Sequence, residues 1–377
     1  MSRIHSLDSL RAIMMLLGLV LHSAITYSVY EDLGSWPIRN SFTHLSNDFI
    51  VSIIHSFRMP IFFLVSGFFG SMLFYERKPL IMIKNRFFRV VLPFIVFIFL
   101  LWPTLVFGFG YTTLAFMGIT NSFELITSFF SIDLLIPKYT FHLWFLYYLI
   151  LITFCSVIIA FFLQKTPKIL ISISKIFNWV FKRPIIRLIT FATISSVLYY
   201  IIGTYSVITS TSFIPDLNML IFYSSFYFIG WFLFRSKYLL DSFMKYDLLS
   251  TLLAVVLFAL YFFMSDSFNF LTHVVIKSII VWLFVFGITG LFVRYTSTYS
   301  PFMRYLSDAS YWVYLIHVSF TSFIPGLIST WPISASLKFL FVFFASSFLC
   351  FLSYHYLVRG TFIGKFLNGR KYARKLF

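Results

Sequence analysis

Charge is scarce in this chain, and acidic residues are the scarcer part of it. Only 11% of the 377 residues are Asp, Glu, Lys or Arg, and only 12 are acidic. Globular domains carry about 25% charged residues, so this chain has too little polar surface to cover a soluble fold. The shortage excludes the soluble classes of protein and favours a chain embedded in a bilayer.

Cysteine is nearly absent as well. Cys155 and Cys350 are the two in the sequence, and each lies within an apolar run. They give neither a disulfide framework nor a metal-ligand spacing. The sequence also lacks a Gly-Lys-Ser phosphate loop, a Gly-x-Ser-x-Gly nucleophile elbow and a His-Glu-x-x-His zinc site. We therefore expect no metal site and no tightly bound cofactor.

Apolar residues take the place of charge. They make up 60% of the chain, 23% of it is aromatic, and the mean hydropathy is +0.92. Ten apolar segments can each hold a membrane helix of about 20 residues. They run from Asp8 to Tyr30, Asp48 to Tyr75, Phe88 to Phe107, Phe141 to Leu163, Leu188 to Ile208, Met219 to Phe234, Leu248 to Met264, Leu271 to Val293, Ser310 to Ser329 and Leu337 to Val358. We predict an all-α polytopic membrane protein with about ten transmembrane helices.

The basic residues alternate between the two sides of these segments. In a soluble domain the net charge of +17 would suggest nucleic acid, but in membrane proteins Lys and Arg collect in cytoplasmic connections. With the N-terminus inside, 24 of the 29 basic residues fall on the cytoplasmic side, while Arg39, Lys138 and Lys338 fall outside. Arg58 and Lys277 lie within segments. We therefore predict two cytoplasmic termini, the lipid bilayer as a partner, and no nucleic acid.

No connection is long and polar enough for a soluble domain, so residues 1–377 are predicted to form a single integral membrane domain. The N-terminal run carries Arg11 and His22 and has no small-residue cleavage site, which favours a retained first span over a cleavable signal peptide. The two longest connections, Gly108 to Thr140 and Gln164 to Arg187, are rich in Phe, Ile and Leu. We expect re-entrant or interfacial helices there.

Ionisable side chains at membrane depth are costly and are usually functional. In the first segment Arg11 and His22 are eleven residues apart, which is roughly 16 Å along a helix and close to three turns. Both should project from one face, with Arg11 at the inner surface and His22 near mid-membrane. Arg11 could be an anchor paired with Asp8 or a substrate contact, and the sequence leaves both open.

The second segment brings His55 and Arg58, which share a face because of their i, i+3 spacing. Arg58 lies about ten residues, roughly 15 Å, below the outer end, at a depth similar to that of His22. Pro60 should leave the helix hydrogen bonding open just before itself. Arg58 is therefore a candidate for a functional residue rather than an anchor.

The ninth segment adds a polar stripe at i, i+4 and i+7, formed by Ser310, Tyr314 and His317. We expect His22, Arg58 and His317 to meet around one buried cavity, with His142 looking in from the outer surface. A histidine can accept a proton from a hydroxyl, and an arginine can hold a carbonyl oxygen or a phosphate. Acyl transfer needs both groups. The hydroxyls of the stripe also suit helix packing.

Four stretches of the chain resemble the acyltransferase type 3 family. They are Leu-Asp8-Ser-Leu-Arg11 followed after ten residues by His22, His55-Ser-Phe-Arg58-Met-Pro leading to Phe-Phe-Leu-Val-Ser66-Gly67, His142-Leu-Trp-Phe-Leu, and Tyr311-Trp-Val-Tyr314-Leu-Ile-His317. The first resembles the Arg-x10-His signature of that family's first span, and the resemblance covers the whole ten-helix chain. The Asn47-Asp48 and His55-Ser-Phe-Arg58 stretches are most similar to members that succinylate osmoregulated periplasmic glucans.

The resemblance implies a bacterial inner-membrane enzyme. It would move an acetyl or succinyl group from cytoplasmic acyl-CoA to a hydroxyl of a carbohydrate acceptor, either an osmoregulated periplasmic glucan or a lipopolysaccharide O-antigen. It implies catalytic roles for His22, Arg58 and His317, with His22 activating the hydroxyl or carrying the acyl group and Arg58 stabilising the oxyanion. It also implies substrate contacts from Arg11, His55, Arg86, Arg89, His142 and Tyr314. Arg11 and the basic connection from Arg77 to Arg89, with Lys84, Arg86 and Arg89, are expected to hold the phosphates of coenzyme A.

Two other classes of protein remain open. Charges at mid-membrane also mark substrate pathways, so a transporter of glycans or lipid-linked sugars is the main alternative, although the sequence has no convincing inverted repeat. A non-catalytic scaffold of a glycan-assembly complex is the other. Loss of an ester from an exported glycan would indicate a transferase, whereas loss of export would indicate a transporter.

Overall fold

Helices form nearly all the regular structure of the computed structural model, which describes residues 4–30, 36–128, 135–207 and 209–372. In chain order they are α1 His5–Ala24, α2 Leu45–Arg77, α3 Pro79–Arg86, α4 Leu92–Phe116, α5 Ser122–Ser128, α6 Trp144–Lys165, α7 Pro167–Phe181, α8 Pro184–Ile202, α9 Leu217–Arg235, α10 Asp247–Met264, α11 Phe270–Tyr295, α12 Pro301–Leu327, α13 Ala335–Ser353 and α14 Phe362–Asn368. No strand occurs within those ranges, so the all-α prediction is confirmed.

Each of the ten predicted segments falls on a long helix. Nine helical stretches of the described chain are long and apolar enough to cross a membrane. The segment from Ser310 to Ser329 lies in α12, which has 27 residues but is not one of those nine. Its polar side chains lower the hydropathy, yet they face the protein interior: Ser310, Tyr314, His317, Thr321 and Ser322 are buried. The chain is thus a multi-pass membrane protein.

Some predicted boundaries differ from the structure. The third span was predicted to end at Phe107, but α4 continues to Phe116, so the first residues of the outer connection extend a helix. The short helix α5 follows in the same connection, and α7 fills most of the connection from Gln164 to Arg187. Pro60 stands inside an uninterrupted α2. The predicted end of the fifth segment, Ile208, lies outside the described residues.

Glycines allow the closest helix contact in the bundle, between α2 and α9. A Cβ atom at Gly67 would lie 1.9 Å from the carbonyl oxygen of Tyr227, and one at Gly230 would lie 1.8 Å from that of Leu64. Any larger side chain would push the two backbones apart. At the centre of the bundle α1 packs against α2, α11, α12 and α13, which buries most of its surface.

Buried polar side chains fix the connection between α1 and α2. A 3-10 turn, Ile25–Tyr27, extends α1. The Asp48 carboxylate accepts the backbone N–H groups of Val29 and Tyr30 at 2.8 and 2.9 Å, and the Asn47 amide donates to the carbonyl of Tyr27 at 3.1 Å. Both side chains are fully buried, so their hydrogen bonds are needed for stability. This end of the bundle is called the outer end below.

The two ends of the described chain lie together at the other end of the bundle. Ile4 and Asp8 share a cavity with Leu367 and Asn368 there. Ion pairs also gather at this end, with Arg304 bound to Asp308 at 2.9 Å. An even number of membrane crossings places both ends on one side, as observed. We call this the basic end, because Arg11, Arg77, Arg86 and Arg89 lie in that cavity.

Candidate functional site

Four helical segments present stripes of side chains, spaced three or four residues apart, to the interior of the bundle. The stripes are Asp8, Arg11, Met15, Gly18 and His22 on α1; His55, Arg58, Phe62, Ser66 and Phe69 on α2; His142, Phe145, Leu146 and Leu149 at the start of α6; and Ser307, Ser310, Tyr311, Tyr314 and His317 on α12. Residues at this spacing lie on one face of a helix. Together they line two cavities, one at each end of the same four segments.

The cavity at the basic end is the larger, with a volume of about 390 Å³. Four arginines and a single carboxylate, that of Asp8, contribute its ionisable groups, and we call it the basic cavity. Its deeper walls are apolar and aromatic, formed by Met15, Phe62, Phe69, Phe145, Leu146 and Leu149. A ligand with an anionic head and a long, less polar arm would fit these two parts of the cavity, the head beside the arginines and the arm along the apolar walls.

The arginines of the basic cavity keep most of their charge uncompensated. Arg11 pairs with Asp8 at 3.4 Å and lies over the ring of Phe69. Arg86 donates to the carbonyl of Ser66 at 3.1 Å, and its Nε has no partner in the described chain. Arg89 donates to the carbonyl of Leu367 at 3.4 Å. Carbonyl oxygens accept a hydrogen bond without neutralising a cation, so the cavity favours an anion.

A π-helical turn places Arg89 in the basic cavity. The turn, Phe87–Val91, joins α3 to α4 and directly follows Arg86. Single π-helical turns widen a helix and often occur at functional sites. Tyr311 of α12 donates its hydroxyl to the carbonyl of Arg89 at 2.9 Å, which ties the widened turn to the opposite wall. No hydrophobic periodicity in the sequence indicates this turn.

The outer cavity has a volume of about 60 Å³ and is lined by the predicted residues His22, His55, Arg58 and His142 together with aromatic residues. Phe141, directly before His142, has a φ of +43°, in the left-handed region that a phenylalanine rarely adopts. Such strain costs on the order of 1–3 kcal/mol and is often found beside active sites. Here the strained residue directly precedes His142, whose side chain points inward. His142 was predicted to look in from the outer surface, and it is buried.

Three histidine rings lie in a row at this cavity: His22 and His142 line it, and His317 lies between them. The ring centroids of His22 and His317 are 5.3 Å apart, and those of His317 and His142 are 5.4 Å apart. His142 donates from Nε2 to the carbonyl of Leu315 at 2.8 Å, and His317 donates from Nδ1 to that of Tyr314 at 2.7 Å. In the neutral rings these bonds leave Nδ1 of His142 and Nε2 of His317 as buried acceptors.

Arg58 approaches the same place from α2. Its Nη1 atom is buried and has no hydrogen-bond partner in the described chain. A Cβ atom at Gly18 would lie 3.1 Å from this Nη1 and 3.6 Å from Nε2 of His317. The missing side chain of Gly18 therefore makes room for a cation and a base side by side. A guanidinium with one buried, unpaired nitrogen, pointing to the place where a reaction would occur, is an arrangement that stabilises developing negative charge.

The structure thus divides the predicted site between two places. His22, His55, Arg58 and His142 line the outer cavity and His317 packs directly behind them, whereas Arg11, Arg86 and Arg89 line the basic cavity. The three residues expected to meet, His22, Arg58 and His317, lie together near the outer cavity. Tyr314 lines neither cavity. Its hydroxyl donates to the carbonyl of His142 at 2.8 Å, so it holds the turn before α6 in position.

Sequence reasoning missed Trp36, Gly18 and Phe62 as parts of the site. Trp36 lies in a connection, where no periodicity marks an inward side chain. Gly18 and Phe62 could have been found from their places on the stripes of His22 and Arg58, four residues away in each case. Among the described residues no group of three or more His, Cys, Asp or Glu side chains is arranged to hold a metal ion.

Comparisons with known proteins identify similar chains. A family model described as an acyltransferase domain matches residues 4–355. Glucans biosynthesis protein C of Salmonella schwarzengrund strain CVM19633 is 29% identical over 360 residues, which cover 87% of this chain and 84% of that protein. The protein of the same name from Salmonella heidelberg strain SL476 is 28% identical over 365 residues, with the same coverage. No solved structure matches the chain.

Proposed function

This chain belongs to the acyltransferase family whose domain its residues 4–355 match, and from that premise we propose that it carries an acyl group across a membrane, from acyl-CoA to a glycan hydroxyl. Membership makes the protein a membrane-embedded acyltransferase. One observation carries the proposal: the basic cavity and the outer cavity open at opposite ends of the same four helical segments, with Arg58 in the lining of the outer cavity and His317 close to it at Gly18.

The basic cavity suits coenzyme A as the donor. Its arginines can bind phosphates with paired hydrogen bonds, which a planar guanidinium does better than an ammonium group. The apolar wall beyond them, from Phe69 to Phe62, suits the long arm that carries the thioester. The basic end would face the cytoplasm, where acyl-CoA is made, because Lys and Arg collect in cytoplasmic connections.

The outer cavity suits the acceptor hydroxyl. His22 lines it and would take the proton of the hydroxyl as the oxygen attacks the thioester carbonyl carbon. The carbon–sulfur bond then breaks, the ester forms, and the proton ends on the departing thiolate. Arg58 would hold the oxyanion, with His317 supporting His22 from behind. Alternatively, His22 itself carries the acyl group between the two substrates.

The names of the relatives suggest a glucan as the acceptor, and the acyl group would be succinyl or acetyl. A lipopolysaccharide O-antigen is a second acceptor of the same chemical class. A multi-pass protein with this donor and an acceptor on the far side would work in the bacterial inner membrane. Both substrates would then reach the reacting atoms without crossing the bilayer themselves.

Deletion of the protein tests this function directly. We expect envelope glycans of the deletion strain to be exported in normal amounts but to lose a mass equal to an acetyl or succinyl ester. Mass spectrometry of the separate glycan fractions identifies the acyl group and the acceptor. Blocked export of the glycan would instead show a transporter. A scaffold would be shown if the deletion strain fails to assemble the glycan and a catalytically inactive variant restores its assembly.

Arg86 and Arg89 provide a test of the donor site. Arg86→Gln and Arg89→Gln should each raise the KM for acyl-CoA by about 10- to 100-fold, the loss expected for a hydrogen bond to a charged group, with less effect on kcat. The measurement is acyl transfer by solubilised protein over a range of acyl-CoA concentrations. Lys84→Gln is the matched control. Lys84 was expected to contact phosphate, but it is an exposed residue of α3 that does not line the cavity. An unchanged KM in both arginine variants would contradict the donor site.

A further inference from the structure

His22 differs from the other two histidines of the row in how its ring is held. His142 and His317 each donate a hydrogen bond to a backbone carbonyl, which fixes both the plane and the tautomer of the ring. His22 makes no hydrogen bond from either ring nitrogen within the described chain, and its Nδ1 is buried. Packing alone must therefore set the orientation of the His22 ring.

Trp36 supplies that packing. Its ring lies parallel to the ring of His22, with centroids 4.9 Å apart and planes 23° apart. Phe109 of α4 packs at a steep angle against the indole, with centroids 5.0 Å apart. Trp36 also lines the outer cavity beside His22. The indole is thus the element that holds the imidazole from the outer end.

The indole is itself anchored next to His22. Its Nε1–H donates to the hydroxyl oxygen of Thr26 at 2.9 Å. Thr26 is fully buried and lies four residues after His22, so both residues face the same side of α1 and its 3-10 extension. The backbone N–H of Asn40 donates to the carbonyl of Thr26 at 2.9 Å, which ties the chain after Trp36 to the same residue.

We propose that Trp36 is a positioning residue for acyl transfer: anchored on Thr26, its indole holds the His22 imidazole in the plane that reaches the acceptor hydroxyl. The proposal rests on the function proposed above, because it assumes that His22 acts on the hydroxyl. A reacting group misplaced by about 1 Å can cost 10²-fold in rate. The His22 ring has no hydrogen bond of its own, so it is the ring of the row that would move if the indole were lost.

Two substitutions separate the stacking from the anchor. Trp36→Leu removes the aromatic ring, and we expect kcat to fall about 10- to 100-fold with little change in the KM for acyl-CoA. Trp36→Phe and Thr26→Val each remove one side of the Nε1–Oγ1 hydrogen bond, and each should lower kcat about 2- to 10-fold. The double variant should lose no more than the larger single loss, because both changes break the same bond.

The pH profile of kcat gives a readout that a merely structural role would not move. Trp36→Leu should shift the profile, because the altered ring plane changes how His22 meets Arg58 and the hydroxyl. Trp331→Leu is the matched control: Trp331 is an exposed tryptophan that packs on Phe341, away from the cavity, and its loss should leave kcat and the profile unchanged.

The outcomes separate this inference from the function on which it rests. If His22→Gln abolishes transfer while Trp36→Leu and Thr26→Val keep the full kcat and pH profile, the positioning role is overturned and the function stands. If His22→Gln keeps full transfer, another group activates the hydroxyl, and the positioning role is overturned while the transfer function stands. If the unaltered protein transfers no acyl group to a glycan, the function itself fails. If Trp36→Leu does not reach the membrane, Thr26→Val decides, because it preserves volume; an unchanged kcat in that variant overturns the proposal.

Discussion

His22→Gln is expected to lower acyl transfer by about 10²- to 10⁴-fold, the contribution typical of a positioned general base. Glutamine retains a polar side chain of similar size but cannot take a proton. His22 lines the outer cavity and contacts His317 at a ring distance of 5.3 Å, and unlike His142 and His317 its ring donates no hydrogen bond to a backbone carbonyl of the described chain. Phosphate binding by acyl-CoA should be unchanged, because Arg11 of the basic cavity lies about three helical turns from His22.

Ester formation on purified glycan, measured with solubilised protein, checks the His22 prediction. His44→Asn is the control, since His44 is exposed at the outer end, where its side chain caps α2, and asparagine also caps helices well. Full acylation by His22→Gln at normal membrane levels would show that another group activates the hydroxyl. An acyl mass found on the His22 peptide after rapid quenching would favour the covalent route instead.

Arg58→Met is expected to lower kcat by about 10²- to 10³-fold, as removal of one oxyanion-stabilising donor does in other acyl-transfer enzymes. Its Nη1 atom is buried and has no partner in the described chain, and it approaches Nε2 of His317 across Gly18. Arg58→Lys should recover only part of the rate. Lysine keeps the charge but not the planar pair of donors that can serve an oxyanion and a neighbour together.

Lys277→Met is the matched control for Arg58, because Lys277 is the other basic residue predicted within an apolar segment. Its ammonium lies over the rings of Tyr205 and Tyr261 and lines neither cavity. We expect Lys277→Met to keep kcat. If Arg58→Met reaches the membrane at normal levels, binds acyl-CoA and still transfers at the full rate, Arg58 has no role in the reaction.

Much of the site could be predicted by counting residues along helices. The depth of Arg58 below the outer end and of His22 above the inner end follows from the fixed rise of a helix, and the two do meet in the structure. The pairing of Arg11 with Asp8 follows from their i, i+3 spacing in the same way. These inferences held because each uses a distance within a single helix.

Features that depend on contacts between helices could not be predicted from the sequence. In the wall of the basic cavity, Phe62 of α2 packs on Phe145 of α6, with ring centroids 4.3 Å apart. The stacking of Trp36 on His22 depends on a connection that folds back over α1. Neither contact has a periodic signal, because each joins residues from elements whose relative placement the sequence pattern does not specify.

The sequence alone determined that this protein lies in a membrane, how many long helices it forms, and which ionisable residues are set at membrane depth. Those properties follow from local quantities: the scarcity of charge, the length of apolar runs and the helical repeat. Only the tertiary structure decided that the arginines near the basic end and the histidines near the outer end belong to separate cavities, and that Trp36 contacts His22. Such contacts depend on how side chains from segments that are distant in the sequence pack together in the interior, and local patterns in the sequence do not specify that packing.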